Sequence, residues 1–287
     1  MNDKTIVTHN GNFHADDVFS VAALKSIFSS FTLIRTRDLE IIAKADIVID
    51  VGGEYDPENG RFDHHQRGGA GERDNGIPYS SLGLIWQKYG LEICNGNQDV
   101  ANALDAGLVS TIDAIDCGHV KGVSEGISLS QTISMFNPTW QEDSHFDTCF
   151  DEAVDFASRV LTRFIAAANG GISAKTIVAT AIENAQDPRV IVLEKYTPWK
   201  RTVHALSDKA LYMIYPSQTG QWRIQTVPVE PGSFEDRRPK EWAGLSDKAL
   251  QDVTGIDDAM FCHNGLFIAG AESFESTMKM AVMALQE

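Results

Sequence analysis

The chain has 287 residues, 43% hydrophobic and 22% charged, the make-up of a folded soluble protein with room for one large or two ordinary domains. Forty acidic against 24 basic side chains give a formal charge of −16, which repels polyanions, so a phosphate-bearing substrate has to be received through metal ions or a local basic patch. No uninterrupted apolar run approaches the roughly 20 residues that cross a bilayer, and the four scattered cysteines form no C-x-x-C pair, against a zinc ribbon or a thioredoxin-type motif.

Met1-Asn2-Asp3-Lys4 passes straight into a β-branched run, leaving no room for a signal or transit peptide, and a cytoplasmic address is expected. Thr5 to His9 reads as a strand, followed by the loop Asn10 to His14 and a helix opening at Asp16-Asp17, where free N–H groups favour acidic residues. Phe31 to Arg37 is a second strand and Asp46 to Val51 a third. The third is short and almost wholly apolar, as in a parallel sheet buried on both faces, and Asp50 ends it. Asp38 and Asp46 read as turn or cap residues.

Arg61-Phe62-Asp63-His64-His65-Gln66, closed by Gly68-Gly69, reads as strand, ligand cluster and turn. Neighbouring side chains on an extended chain point to opposite faces, so both imidazoles can serve one site only if the backbone bends there. Such a bend is expected, with one imidazole on metal and the other facing substrate. Helices are predicted over Ser80 to Tyr89 and Asp99 to Ile115, the second delivering Asp113 and Asp116 on one face of its last turn. Carboxylates there oppose the helix dipole and imply a compensating cation.

Further helices are predicted over Ile127 to Phe136, Phe146 to Asn169 (stopped by Gly170-Gly171), and Ser173 to Ala185. After a boundary at Asp187-Pro188 the texture turns to strands, Val190 to Glu194, Leu211 to Tyr215, Trp222 to Val229 and Leu266 to Ala269, with a closing helix from Ser273 to Leu285. The expectation is an α/β protein: residues 1–187 form a parallel-sheet metal-binding catalytic domain with a helical continuation, and residues 188–287 a smaller α+β substrate-binding domain.

His9, His14, His64 and His65 all fall within the first 65 residues, each close to an aspartate. His9 and Asp50 end separate strands and would meet at the carboxyl edge of a parallel sheet, joined by the loop carrying His14 and Asp16, with Asp116 arriving on its helix. Imidazole and carboxylate ligands without thiolate suit Mn²⁺, with Mg²⁺, Co²⁺, Fe²⁺ and Zn²⁺ as competitors. There are more ligands than one ion needs, which implies two divalent metal ions. In the second domain, Lys195, Trp199-Lys200-Arg201, Trp222-Arg223, Phe234, Arg237-Arg238, Lys240 and Trp242 interleave cations with aromatic faces, a composition suited to a short single-stranded ligand, although at least half of these residues are expected to be core or solvated. Arg223 and His263 are the preferred substrate contacts, and Gly265 and Gly270 allow close backbone approach to a phosphate.

Thr8 to Asp17, Asp50 to Asp56, Asp63-His64-His65-Gln66 and Asp113-Ala114-Ile115-Asp116 together resemble the melanocyte-proliferating-gene family, within the DHH phosphoesterase superfamily. The likeness continues through Leu129-Ser130, Asn137 to Trp140, Gly220 to Gln225 and His263 to Gly270. This resemblance implies a two-domain phosphoesterase with a dinuclear, Mn²⁺-type centre, in a family that includes 3′–5′ RNA exonucleases. His9, Asp16, Asp50, His64 and Asp116 match its metal-ligand motifs, with Asp50 as the bridge, and His65 matches the histidine expected near the phosphoryl group. His14 departs from the wider superfamily, which usually has aspartate there, and softens the ligand set.

The expected chemistry is attack on a phosphodiester by an activated water, with His65 donating to the developing charge, and Asp63 or Asp113 as orienting or turn residues. Competing readings are a small-molecule phosphoesterase acting on a cyclic dinucleotide, nucleoside bisphosphate or pyrophosphate, a metal-dependent amide hydrolase, and a non-catalytic metal-stabilised interaction protein. No membrane partner is expected. Oligomeric state is left open, a homo-oligomer included.

Overall fold

In the computed structural model, which describes residues 4–120, 126–143, 145–230 and 239–286, the chain divides into two compact units, Met1–Asn169 and Gly170–Glu287. The first unit opens with β1 (Lys4–Thr8), α1 (Ala15–Lys25), β2 (Phe31–Arg35), α2 (Leu39–Lys44) and β3 (Ile47–Ile49), followed by the short strands β4 (Tyr55–Asp56) and β5 (Arg61–Phe62). Their sheet order is β2-β1-β3-β5-β4, parallel except where β4 runs antiparallel to β5. The chain steps from β1 outward to β2, then returns past β1 to β3, so the strand order reverses between β1 and β3. Open α/β sheets bind ligands at such a switch point, outside the carboxyl ends of the strands.

Register puts the strand ends in line: Thr8 pairs with Ile49, and Ile49 with Phe62. His9, Asp50 and Asp63-His64-His65 therefore leave the same edge side by side. All three residues of β3 are buried, as its unbroken apolar run requires. Gly60, at φ +72°, makes the close return into β5 workable, because a Cβ there would lie 2.1 Å from the Asp46 carbonyl oxygen. Asp38 caps α2 by accepting from Glu40 N–H, and Asp46 accepts from Thr5 N–H.

Helix α1 is buried from Ala15 to Leu24 and packs against three later helices: α3 (Ser81–Ile93), α5 (Ser110–Asp116) and α6 (Leu129–Ser134). The predicted helix Asp99 to Ile115 is one rod in three parts, α4 (Gln98–Leu104), a π-helical turn Asp105–Val109, and α5. The π turn widens the winding just before the two carboxylates that α5 carries.

The largest departure from expectation is α7, a single helix Phe146–Glu183 running through Gly170-Gly171 without a stop. Glycine in a helix interior costs about 1 kcal/mol relative to alanine but does not forbid the conformation, and the alanine-rich flanks carry the helix across. The division of the chain into two units falls within α7, at Asn169/Gly170, and the sequence reading drew its boundary at Asp187-Pro188. Helix α7 also has the length and composition of a membrane-crossing helix, although Arg159, Arg163 and Lys175 interrupt it.

In the second unit β6 (Val190–Val192), α8 (Lys200–Leu206), β7 (Tyr212–Pro216), β8 (Trp222–Thr226), α9 (Asp247–Thr254), β9 (Ala259–Cys262), β10 (Ile268–Ala271) and α10 (Phe274–Ala284) follow α7. The sheet order is β6-β7-β8-β10-β9, with only β6–β7 parallel. Alternation along β7 feeds two cores: Tyr212 and Ile214 pack with Ile224, Ala269 and Met280, while Met213 and Tyr215 pack with Val178, Ile191 and Trp199. Strand β9 and helices α8 and α9 are additions to the elements read from the sequence. The mixed α/β class is as expected.

Replacing Gly60 by alanine is expected to destabilise the protein by more than about 2 kcal/mol, since it adds left-handed strain of about 1–2 kcal/mol to a backbone collision. Urea denaturation checks this; a shift below about 0.5 kcal/mol would show that the β5 return tolerates a side chain.

Candidate metal centre

Asp50 is the residue on which the carboxyl-edge groups converge. Its N–H donates to the Phe62 carbonyl (3.1 Å) as the last rung of the parallel ladder, and its backbone then turns into the left-handed region at φ +55°. That conformation costs a non-glycine residue about 1–2 kcal/mol, and aspartate is among the few that tolerate it. The turn aims a carboxylate that is 5% exposed at three imidazoles. Oδ2 lies 3.2 Å from His9 Nε2, and Oδ1 lies 3.2 Å from His64 Nε2 and 3.4 Å from His65 Nδ1. Ser81, at the start of α3, donates to Oδ1 (3.0 Å).

His64 and His65 share this side because the chain bends after β5; their ring centroids are 4.3 Å apart. Asp63 shapes the bend. Its Oδ1 accepts from the backbone N–H of His65 (3.0 Å) and lies 2.8 Å from His65 Nδ1, and its Oδ2 accepts from Gly53 N–H (2.6 Å). His64 Nε2 also faces Asp116 Oδ2 at 3.3 Å and Asp16 Oδ2 at 3.9 Å, while its Nδ1 meets Cys117 Sγ at 3.7 Å. A thiol thus adjoins a ligand set expected to contain none.

From the β1–α1 loop, His9 reaches Asp50, and its Nε2 lies 3.3 Å from Asp17 Oδ2. Asp17 has two tasks, since its Oδ1 accepts from the His14 and Val18 N–H groups at the head of α1 (2.9 and 2.8 Å). The sequence reading gave it only the second. Asn137 braces the same loop, accepting from Phe13 N–H (3.0 Å) and donating to Phe13 C=O (2.9 Å), which keeps the neighbouring His14 in place.

Among the described residues, four groups could each hold a metal ion, with ligand atoms within 4.8 Å of one another inside each group: His9, His14 and Asp50; Asp50, His64 and His65; His64, Asp116 and Cys117; and His14, Asp16 and Asp116. His14, Asp50, His64 and Asp116 each belong to two groups, so the groups link in a ring. Every residue expected to hold metal is brought together here.

The electrostatics of the ring fit cations. Asp16 is 0% exposed, and among the described residues no N–H or hydroxyl group donates to its carboxylate oxygens, which adjoin the Asp116 carboxyl. Burial, then Asp50 and Asp116, push its carboxyl well above the usual range, and burial with Asp50 also raises that of Asp116. Burial raises Asp17 from 3.8 to about 7, opposed by His9. Burial disfavours the charged form of His64, but Asp50, Cys117 and Asp116 outweigh it and lift the imidazole from 6.5 to about 10; His9 is raised by Asp50 and Asp17 against the same penalty. Burial opposes ionisation of Asp50 as well, but His64 and His9 overcome it and hold its carboxyl below the usual range. A buried carboxylate without a donor is costly, and buried charges are normally paired or on metal.

Asp113, one turn before Asp116, plays a different part. It accepts from Arg73 (2.7 Å), Ser80 (2.5 Å) and Gly83 N–H (3.1 Å), and orients no imidazole. Arg73 also binds both oxygens of Asp105 in the π turn (3.1 and 2.7 Å) and lies over the Tyr79 ring. This guanidinium fastens the loop after the histidine pair to the rod carrying Asp116.

The proposed substrate contacts lie in the second unit. Arg223 pairs with Gly270 across β8–β10, and its guanidinium lies 5.0 Å from the Phe261 ring centroid. His263 Nδ1 accepts from Gly265 N–H (2.9 Å). Gly270 is needed for strand packing, since a Cβ there would be 2.7 Å from the Trp222 carbonyl oxygen. Trp199 and Trp242 are core residues, 2% and 1% exposed, so neither offers a face for a base. Phe234, Arg237 and Arg238 lie outside the described residues.

Residues 5–285 match the sequence profile of MYG1_exonuc, described as an uncharacterised protein family (UPF0160). The MYG1 exonuclease of Bos taurus is 34% identical over all of this chain and 86% of its own length. The MYG1 exonuclease of Homo sapiens is 33% identical over all of this chain and 87% of its own. A MYG1 protein of Saccharomyces cerevisiae is 32% identical over 98% and 96%. No solved structure matches the chain.

Metal uptake is expected to release protons and to stabilise more at higher pH. The folded, metal-free chain binds protons more tightly than the unfolded one at Asp17, between 3.8 and about 7, and at His64, between 6.5 and about 10, so on both counts its stability falls as pH rises through these windows. A cation held at His64 takes the place of its proton, and positive charge beside the His9–Asp17 pair favours the ionised Asp17 carboxyl. Mn²⁺ should therefore raise the melting temperature more at pH 8 than at pH 6, with acid released into weak buffer; the opposite order would remove these groups from the metal site.

Proposed function

The chain belongs to the MYG1 family, and from that premise we propose that it is a metal-dependent phosphodiester hydrolase, a 3′–5′ exonuclease acting on short single-stranded RNA. The observation that carries the metal dependence is the Asp16 carboxyl, fully buried against the Asp116 carboxyl with no N–H or hydroxyl donor among the described residues. The nuclease assignment draws on the relatives' name, and placement in the DHH superfamily on Asp63-His64-His65 leaving a parallel strand at the switch point.

In this reading His9, His14, Asp16, Asp50, His64 and Asp116 would hold two divalent ions, Mn²⁺ before Mg²⁺, Co²⁺, Fe²⁺ or Zn²⁺, and Asp50 would be the residue common to both. Such a pair supplies an activated water and charge compensation for the phosphoryl oxygens. The protein's own groups do the rest. Asp63 beside Nδ1 of His65 leaves Nε2 as the free polar atom of a ring whose side chain is 62% exposed. In its protonated form that nitrogen donates to the phosphoryl or leaving oxygen. Ser81 holds Oδ1 of the shared carboxylate and the Asp50 N–H bond to Phe62 holds its backbone, so the site is organised before substrate arrives.

Two features favour a nucleic acid over an amide. Trp140 is 91% exposed, an open stacking face near the Asn137 brace. Arg223, its pKa lowered by burial, has no carboxylate partner among the described residues, as suits a guanidinium that meets a phosphate. The second unit is accordingly assigned to substrate binding. A small-molecule phosphoesterase is the second reading, favoured by the acidic surface and by a pocket of about 380 Å³ at the His9–Asp50 edge, near the lower end of ligand-site sizes.

The test uses Mn²⁺-loaded protein with 5′-labelled RNA and DNA from two to ten nucleotides and a set of small phosphodiesters. Stepwise shortening of RNA from the 3′ end is expected. Asp50→Asn, which keeps a residue tolerant of the left-handed backbone but removes the shared carboxylate, should lower turnover by at least about a thousandfold. Turnover within threefold of wild type under saturating Mn²⁺ would overturn the assignment.

A further inference from the structure

Cys117 is the one thiol, among the described residues, that joins a group able to hold a metal ion; its companions are His64 and Asp116, and the ligand atoms of the three lie within 4.8 Å of one another. A helix end delivers it. Cys117 is the C-cap of α5, directly after Asp116, and its N–H donates to Asp113 C=O (2.9 Å). It is half-buried and not in a disulfide, whereas Cys94 and Cys262 are each 2% exposed and closed to solvent.

His64 turns its two nitrogens to different company. Nε2 faces Asp50 Oδ1 at 3.2 Å, Asp116 Oδ2 at 3.3 Å and Asp16 Oδ2 at 3.9 Å, whereas Nδ1 meets Cys117 Sγ at 3.7 Å. The thiol is therefore on the other edge of the ring from Asp50. Zn–S of about 2.3 Å and Zn–N of about 2.0–2.1 Å at a tetrahedral angle set sulfur and nitrogen about 3.6 Å apart. Sγ and Nδ1 already stand at the separation of two ligands on one Zn²⁺. A thiol that merely hydrogen-bonds to an imidazole needs no carboxylates beside it. Here the Asp116 carboxyl stands within ligand reach, and it is backed by Asp16, 0% exposed and without an N–H or hydroxyl donor among the described residues.

A neutral imidazole has one lone pair to give a metal. An ion at Nδ1 of His64 requires the proton on Nε2, and an ion at Nε2 requires it on Nδ1, so the two edges are alternatives. We propose that His64, Asp116 and Cys117 form a site for one thiophilic cation of the Zn²⁺ class, whose filling withdraws His64 Nε2 and Asp116 from ions held around Asp50. The thiol proton passes to solvent as the S–Zn bond forms. Thiolate selects Zn²⁺ over Mn²⁺ and Mg²⁺, so one ring serves hard or borderline ions on one edge and a softer ion on the other. The antagonism rests on the metal-centre reading given above; the thiolate site stands on its own contacts.

The experiment measures ligation and binding, apart from turnover. Wild type and Cys117→Ser are titrated with Cd²⁺, a softer stand-in for Zn²⁺, and followed by the thiolate-to-metal charge-transfer band in the ultraviolet. One equivalent should saturate the band in wild type, and the variant should lack it. Nitrogen-15 spectra of histidine-labelled, Zn²⁺-loaded wild type should show Nδ1 of His64 on the metal and Nε2 protonated. Release of bound Mn²⁺, read from the spin-resonance signal of the free ion, should need at least about tenfold less Zn²⁺ in wild type than in Cys117→Ser. Site-resolved alkylation needs no variant: Zn²⁺ should shield Cys117 more than Mn²⁺ does. A band that persists in the variant, ligation through Nε2, equal Zn²⁺ demand in the two proteins, or alkylation of Cys117 that Zn²⁺ leaves unchanged would each overturn the proposal. A wild type that meets every expectation yet cleaves no phosphodiester when loaded with Mn²⁺ would instead sink the function proposed above.

Discussion

The site depends on one backbone conformation, the left-handed turn at Asp50. The residue is still paired to β5 through its N–H, so its position is fixed by the sheet, while its positive φ turns the carboxylate across the ends of β1 and β5. In an ordinary extended conformation the same side chain would continue the alternation of β3 and point into one of the layers covering the sheet. The strain of about 1–2 kcal/mol is held by the ladder on one side and by the positive-φ glycines Gly52 and Gly53 on the other. Strain retained at a point where three imidazoles converge is the pattern of a site kept for chemistry, because packing alone would relax it.

Two buried aspartates, each 0% exposed, separate structure from function in this unit. Asp113 has an arginine, a hydroxyl and a backbone N–H, and Gly83 makes the last contact accessible, since a Cβ there would sit 2.1 Å from the carboxylate. Burial still raises it to about 6, but its charged form is served on every side. Asp16 has the same burial, and among the described residues no N–H or hydroxyl group donates to it. The fold sets a guanidinium, a hydroxyl and an N–H directly against the first, whereas the second has only His64 at 3.9 Å and the neighbouring Asp116 carboxyl. The missing partner of Asp16 is therefore built into the design of the pocket.

Much of this was legible in the chain because strand ends announce themselves. Short β-branched runs terminated by His9, Asp50 and Asp63-His64-His65 lead to one sheet edge once the strands are parallel, and register then does the alignment. What was hidden depends on geometry that residue type does not carry. Glycine pairs usually stop helices, yet Gly170-Gly171 continue one, since flanking helix formers outweigh a modest local cost. Trp199 and Trp242 looked like stacking faces, but aromatic residues beside lysines are equally placed to close a core, and here they do. Asp17 and Asp16 are indistinguishable in sequence; only the 100° step between helix neighbours sends one to His9 and the other toward His64 and Asp116.

His14 shows how the choice of one side chain propagates through the site. It belongs to the group around Asp50 and to the group around Asp16 and Asp116, and so helps to close the ring opposite His64. An aspartate in its place would add another negative charge to a pocket that already holds Asp16, Asp17, Asp50 and Asp116, three of them with carboxyls pushed upward by burial. Imidazole offers a nitrogen that could hold a metal without that charge, which lowers the repulsion the folded chain must contain. It also shifts the donor set from hard oxygen toward nitrogen, where Mn²⁺ and its borderline neighbours gain on Mg²⁺. Because His14 occupies the N-cap of α1, it is held by the same Asp17 carboxylate that faces His9. A change at either aspartate or imidazole would therefore be felt by both halves of the ring.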